Sequence, residues 1–189
     1  MSSALQITPP TPVIWMTGLP GAGKSTLANA LHQAFTALGS RSIVLDGDVL
    51  RKSLCSDLDY SETSRIENIR RTAHVAKLFQ QQGFIVLVAT ISPSSAHRTL
   101  ARSIVGHGFI ETYIRAPLAL CMKRDPKGMY AKAQRGEMQQ FTGVSANYDA
   151  PLTPDWLIDT TASSLEEAVG YVLHMLPQET SRSCADQCG

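Results

Sequence analysis

Short runs of β-branched and aliphatic residues alternate along this chain with longer stretches whose apolar positions recur every three or four residues. Runs of the first kind suit strands and stretches of the second kind suit amphipathic helices, so the alternation predicts a parallel sheet flanked by helices. Five strands are predicted, over 13–17, 42–46, 84–90, 109–114 and 156–160. The run FIVLVAT from Phe84 to Thr90 shows no polar alternation, which fits a strand covered on both faces.

Between the strands, residues 24–38 set Leu27, Leu31, Ala34 and Leu38 on one stripe and stop at Gly39, a residue type favoured just past a helix end. A second helix is predicted over 62–82, with Ile66, Ile69, Ala73, Ala76 and Phe79 inward and Gly83 as its stop; Ser64 and Glu67 offer it an alternative capping box. The last helix opens on a Ser164/Glu167 capping box, buries Leu165, Ala168, Val169, Val172, Leu173 and Leu176, and stops at Pro177. One stretch breaks the alternation. Residues 124–154 combine weak apolar periodicity with many charges and several Gly and Pro, the mark of a functional lid or binding loop.

The length of 189 residues suits one domain, predicted over 12–177, with flexible ends at 1–11 and 178–189. Seventeen basic residues against sixteen acidic ones leave a net charge of +1, too little for a global field that would hold nucleic acid or a membrane. The longest apolar run, 84–91, is far short of the ~20 residues of a membrane span, and the opening MSSALQITPPTP lacks the features of a signal or transit peptide. A cytoplasmic setting is therefore predicted. Cys55 and Cys121 read as reduced buried thiols, and Cys184 with Cys188 lacks the further ligands of a zinc site.

The strongest chemical signal is Gly18 to Thr26, GLPGAGKST, which fits GxxxxGK(S/T) with a strand before it and a helix after it. Backbone N–H groups of Gly18, Gly21, Ala22 and Gly23 can turn inward around phosphate oxygens, and the helix N-terminus adds a positive end. Lys24 then serves the β- and γ-phosphates, Ser25 is placed to ligate Mg²⁺ brought with ATP, and Thr26 completes the phosphate contacts. The fold expected is the P-loop NTPase α/β fold, a five-stranded, mostly parallel sheet flanked by helices, with a lid insertion.

At the end of the second strand, IVLD46 runs into Asp48 and Arg51, where parallel sheets bind ligands. Asp48 can hold Mg²⁺ through water, accept a hydroxyl proton, or cap the short helix that carries Arg51. Arg65, Arg70 and Arg71 cluster at the start of the second long helix, and residues 123–135 hold Lys123, Arg124, Lys127, Lys132 and Arg135 against Asp125 alone. Opposite a triphosphate loop, such cations can offset the charge of phosphoryl transfer.

These pieces occur together with DYSETSRIENIRR, VAKLF, ISP, RDPKGMYAKAQRGE, FTG, and YDAP before LIDT. In that order they resemble the adenosine 5′-phosphosulfate (APS) kinases, or adenylylsulfate kinases, over about residues 13–161. The resemblance implies transfer of the γ-phosphoryl of MgATP to the 3′-hydroxyl of APS, giving 3′-phosphoadenylyl sulfate (PAPS) and ADP, in a homodimer serving sulfate assimilation. It implies that Asp48 orients the acceptor hydroxyl or metal, and that Arg51, Arg65 and Asn68 grip the phosphosulfate and ribose. Tyr60 and Phe141 would sandwich the acceptor adenine, with Ile91, Ser92 and Lys127 completing the pocket. Ser92 corresponds to a serine treated as a phosphoenzyme site in bacterial relatives, and Ser92-Pro93 also reads as a turn and cap before the helix that holds Leu100 and Ile104.

The chain departs from the family after ISP, where a Tyr-Arg pair and then Asp-Arg are usual and Ser94, Ser95, Ala96, His97 and Arg98 stand instead. Ser64 replaces an Asp before Arg65, and Tyr60 stands where Phe is common. His97 is expected to face solvent or cap its helix. Two further readings share the phosphate loop: a kinase for another small hydroxylated acceptor, and a non-catalytic ATP-binding regulator of a sulfurylase. The intact Lys24, Ser25 and Asp48 favour catalysis.

Overall fold

The computed structural model describes residues 11–138 and 140–176. In chain order they form β1 (Val13–Thr17), α1 (Lys24–Ala37), β2 (Ser42–Asp46), α2 (Gly47–Lys52), α3 (Glu62–Gln81), β3 (Ile85–Ala89), α4 (Ser95–Val105), β4 (Phe109–Arg115), α5 (Leu118–Arg124), α6 (Met129–Gln134), β5 (Trp156–Asp159) and α7 (Leu165–Met175). The strands make one sheet in the order β2-β3-β1-β4-β5, and every pairing is parallel. All five predicted strands are present, with ends shifted by at most one residue.

β1 is central because both its neighbours are parallel and both its faces are covered. Val13 and Trp15 join Val86, Val88 and Phe109 in a core shared with α3 and α4. Ile14 and Met16 point the other way, into a core with Leu87, Ile114, Leu31, Phe35 and Val172 from β3, β4, α1 and α7. Full burial of side chains such as Ile14 and Met16 contributes roughly 1.5–3 kcal/mol each. The strand order reverses direction at β1, so the loops after β1 and β3 part at the C-terminal edge and leave a crevice there.

The helices correct several details. In α1 the buried stripe is Leu27, Ala28, Leu31 and Phe35; Ala34 is half-buried and Leu38 is 67% exposed. The chain leaves the helix before Leu38 could turn inward. Gly39, at φ 75°, closes the end with bonds from Gly39 N to Thr36 O and Ser40 N to Phe35 O. α3 is capped by Ser61, whose hydroxyl accepts from Ser64 N, so the Ser64/Glu67 box does not form; Glu67 pairs with Arg70 and Arg71 instead. Its inward stripe runs through Asn68, Ile69, Thr72, Ala73, Ala76 and Gln80, leaving Ile66 exposed at the edge. The Ser164/Glu167 capping box of α7 is formed, with Ala168 and Val172 buried beneath it and Leu165 largely exposed at the first turn.

α4 is capped by Ser94, which displaces the expected cap at Ser92. Residues 124–154 are less irregular than their periodicity implies, since α6 lies within them and Tyr130, Ala133 and Phe141 are buried in the core. Cys55 and Cys121 are free buried thiols. Among the described residues no helix is long and apolar enough to cross a membrane. Residues 1–10, Pro177 and the tail with Cys184 and Cys188 lie outside the described residues.

Candidate active site

The crevice is a cavity of about 710 Å³ lined from the phosphate loop, the ends of β2 and β3, the start of α3, residues 124–142 and the start of α7. Every residue given an individual ATP, metal or acceptor role from the sequence lines it except Gly18. Gly18 supports the loop from below: at φ 154° a Cβ there would meet Ile114 O at 2.5 Å, so only glycine fits.

Lys24 is buried, and its Nζ donates to Gly18 O and Leu19 O at 2.8 Å each. Burial lowers its ammonium to a pKa of about 8. Phosphate oxygens arriving in the loop are stronger acceptors for Nζ than these carbonyls. Ser25 Oγ donates to Asp46 Oδ2 at 2.5 Å, and Asp46 Oδ1 accepts from Asp48 N at 2.9 Å as the cap of α2. The cap is thus Asp46, which frees the Asp48 side chain for an ion pair with Lys127. Mg²⁺ takes one or two hard protein oxygens and completes its shell with phosphate oxygens and water; Ser25 Oγ and the Asp46 carboxylate fit that demand.

The opposite wall is cationic and aromatic. The Arg51 guanidinium lies 4.4 Å from the Tyr60 ring centroid, and its Nη1 donates to Asp59 O at 2.9 Å. Arg65 Nε donates to Tyr60 O, Nη1 donates to Thr142 Oγ1 at 3.1 Å, and Nη2 reaches Gln140 O. Phe141 is buried edge-on against Tyr130, with ring centroids 5.1 Å apart, and Tyr130 Oη donates to Pro20 O in the phosphate loop. Asn68 is buried at the cavity with its Nδ2 unpartnered among the described residues.

Ile91 and Ser92 form a rigid shelf. Thr17 Oγ1 donates to Ile91 O at 2.6 Å, Arg98 Nη1 donates to Ser92 O at 3.0 Å, and Trp15 Nε1 donates to Ser92 Oγ at 2.9 Å. Arg98 is held in turn by Glu111 at 2.8 Å. Ser92 is 1% exposed and adopts φ 43°, a sparsely populated conformation for a non-glycine residue. Its hydroxyl oxygen is thus engaged by an indole of the sheet.

Not all the expected cations reach the cavity. Arg70 and Arg71 are turned to Glu67 and Asp57, and Arg135 to Glu137; of the cations in 123–135, Arg124 and Lys127 line it. Asp46 was recognisable as a carboxylate at the end of an apolar strand, but nothing in its spacing distinguished it from Asp48. Arg124, which donates to Thr160 Oγ1 at 3.1 Å, lines the cavity, as do Ser163 and Leu165. His97 contradicts its expected exposure: it is 1% exposed and lines the cavity, because Ser94 caps α4 and turns residue 97 toward α3.

Residues 11–159 match the Adenylylsulphate kinase family. An adenylyl-sulfate kinase of Paraburkholderia xenovorans strain LB400 is 55% identical over 85% of this chain and 90% of its own. One from Vibrio cholerae serotype O1 is 48% identical over 88% and 78% respectively. Among solved structures, the Mycobacterium tuberculosis APS kinase CysC in complex with AMPPNP and APS superposes with a TM-score of 0.85 at 41% identity, covering 88% of this chain and 98% of that one. A gluconokinase from Sinorhizobium meliloti 1021, at 15% identity and a TM-score of 0.59 over 88% and 92% of the two chains, shares the fold. Phosphate loop, parallel sheet and sequence agree, and the chain belongs to the adenylylsulphate kinase family.

Proposed function

We propose that this protein transfers the γ-phosphoryl of MgATP to the 3′-hydroxyl of APS, forming PAPS and ADP. The observation that carries the reading is the meeting, in one cavity, of the phosphate loop with the Arg51, Tyr60, Arg65, Asn68 and Phe141 wall. Triphosphate and sulfonucleotide are the two anions such a cavity accommodates end to end, and the M. tuberculosis relative binds AMPPNP and APS.

In this reading Gly21 to Thr26 hold the donor phosphates, and Lys24 exchanges its carbonyl acceptors for β- and γ-phosphate oxygens. Ser25 and Asp46 would hold Mg²⁺, which would offset the charge of the donor phosphates. Tyr60 and Phe141 flank the acceptor adenine, while Arg51, Arg65 and Asn68 take the phosphosulfate and ribose. Ile91 and Ser92 form the pocket floor through their backbone.

Asp48 accepts a hydrogen bond from the 3′-hydroxyl. The Lys127 ammonium lies against this carboxylate and fixes its direction, so its part is to aim the oxygen. That suffices for a loose transition state, in which the new bond from the 3′-oxygen to γ-phosphorus forms as the bond to the β–γ bridging oxygen breaks. The hydroxyl proton leaves late, through Asp48 to water. Residues 124–141 close over both nucleotides and exclude water as a competing acceptor.

Release of ADP from ATP, measured with and without APS, tests the proposal. APS-dependent ADP together with a 3′-phosphorylated product is expected, and Lys24→Ala should abolish both. ADP release indifferent to APS would refute it. The resemblance extends to a cytoplasmic homodimer, which light scattering can test; a related APS kinase from Thiobacillus denitrificans is hexameric.

A further inference from the structure

Two buried nitrogens at the cavity, Asn68 Nδ2 and His97 Nδ1, lack hydrogen-bond partners among the described residues. Buried polar atoms in folded proteins are nearly always paired, so an orphaned set at a cavity wall points to a ligand that completes it. Asn68 follows Arg65 by three residues on α3, so both are presented to the same region, and His97 meets that helix from α4. The ring has a defined position. The His97 backbone N–H donates to Ser94 Oγ, and the ring Nε2 lies 3.0 Å from Glu62 Oε1.

The charges that face His97 decide its state. From α3 come Glu62 and Arg65, and from its own helix Arg98, which is matched by Glu111; Asp149 accepts from Ser95 N at the start of that helix. Burial disfavours the imidazolium and both guanidiniums oppose it, while Glu62 favours it; burial prevails and the ring is held below its ordinary value. A neutral ring therefore sits beside a guanidinium that the acceptor's anion will neutralise.

We propose that His97 contacts the sulfate-bearing end of the acceptor nucleotide and takes up one proton from solvent as that anion binds beside Arg65 and Asn68. This rests on APS being the acceptor. The incoming negative charge offsets Arg65 and attracts a proton to the ring. Nδ1–H then donates to the anion, and Nε2–H faces Glu62. No covalent bond changes. Acceptor affinity accordingly rises as pH falls through the range in which His97 titrates, and donor affinity does not.

Titration calorimetry of APS binding in buffers of different ionisation enthalpy, between about pH 6 and about pH 8, reads the proton directly. The wild type should take up a proton on binding and His97→Gln should not. The variant's KM for APS should be roughly tenfold higher near pH 6, with kcat and the KM for ATP within about twofold, as expected for loss of one charge-assisted hydrogen bond. Equal KM and equal proton uptake in wild type and variant would overturn the assignment. Should His97→Gln fail to fold, Glu62→Gln provides the test, since that side chain is 67% exposed. It should move proton uptake to lower pH, and an unmoved profile would overturn the assignment too. A wild type that makes no ADP in response to APS refutes the acceptor reading itself, a result distinct from either.

Discussion

Ser25 Oγ and Asp46 Oδ2 are joined by a 2.5 Å hydrogen bond that ties the first turn of α1 to the end of β2. The pair sets two hard oxygens side by side at the mouth of the phosphate loop, and the same carboxylate caps α2, which carries Asp48 and Arg51. Asp46→Asn keeps the size of the side chain and removes its charge. It should lower kcat by roughly 10²-fold or more, the scale of losing one electrostatic stabiliser of the transition state, and raise the Mg²⁺ concentration needed for half-maximal rate. Rates measured against Mg²⁺ at saturating ATP check this; an unchanged Mg²⁺ dependence would remove Asp46 from the metal site.

Arg65 holds Tyr60 O, Thr142 Oγ1 and Gln140 O at once, so it joins α3 to the segment that covers the acceptor wall. Arg65→Ala should raise the KM for APS by about 10–100-fold, as loss of hydrogen bonds to a charged group implies, while the KM for ATP changes little. Steady-state kinetics with each substrate varied in turn distinguish this from a general loss of folding, which would lower the rate without selecting between substrates.

Trp15→Phe should act at a distance from any nucleotide. It leaves Ser92 Oγ buried without its donor, at a cost of about 1–3 kcal/mol, which for a chain of this size lowers Tm by roughly 2–10 °C. The shelf at Ile91 and Ser92 loses a restraint, so the KM for APS should rise as well. Calorimetric melting and APS kinetics on one preparation test both halves, and a stable variant with unaltered kinetics would show the indole to be dispensable.

Acid should destabilise the fold through carboxyls that do not themselves line the cavity. Hydrogen bonds hold three carboxyls at about 2: from the Ser61 hydroxyl to Asp59, from Arg70 and then Arg71 to Glu67, and from the Thr161 hydroxyl to Asp159. Each folded-state value lies below the ordinary one, so the stabilisation is complete above about pH 5 and is lost as pH falls toward about 2. Urea denaturation across that window should show declining stability. Glu67→Gln should flatten the decline, and a slope unchanged by the substitution would exclude Glu67 as a contributor.

The strands and the phosphate loop were legible because they obey local rules: apolar runs covered on two faces, and glycines where a loop wraps phosphate. Helix faces were legible only in part. Leu38 and Ile66 satisfy the 3.6-residue period, yet one is the C-cap inside the turn closed at Gly39 and the other lies at the edge of a stripe that runs through Asn68 and Thr72. Polar residues on an inward face defeat a hydrophobic pattern, and so do pairings distant in sequence. Nothing near Ser92 foretells its bond to Trp15, 77 positions away, and nothing near His97 foretells that Ser94 would turn it inward. Asp46 and Asp48 stand two residues apart at the start of α2, and only the path of the backbone decides which carboxylate meets Ser25.

The bond from Tyr130 Oη to Pro20 O, with the Tyr130 ring set on edge against Phe141, gives the donor loop and the acceptor wall a shared strut. Removing that hydroxyl would slacken both ends together, so kinetic constants for the two nucleotides should drift in concert in Tyr130→Phe. Engineers who wish to retune one nucleotide's grip without disturbing the other must therefore leave this tyrosine alone.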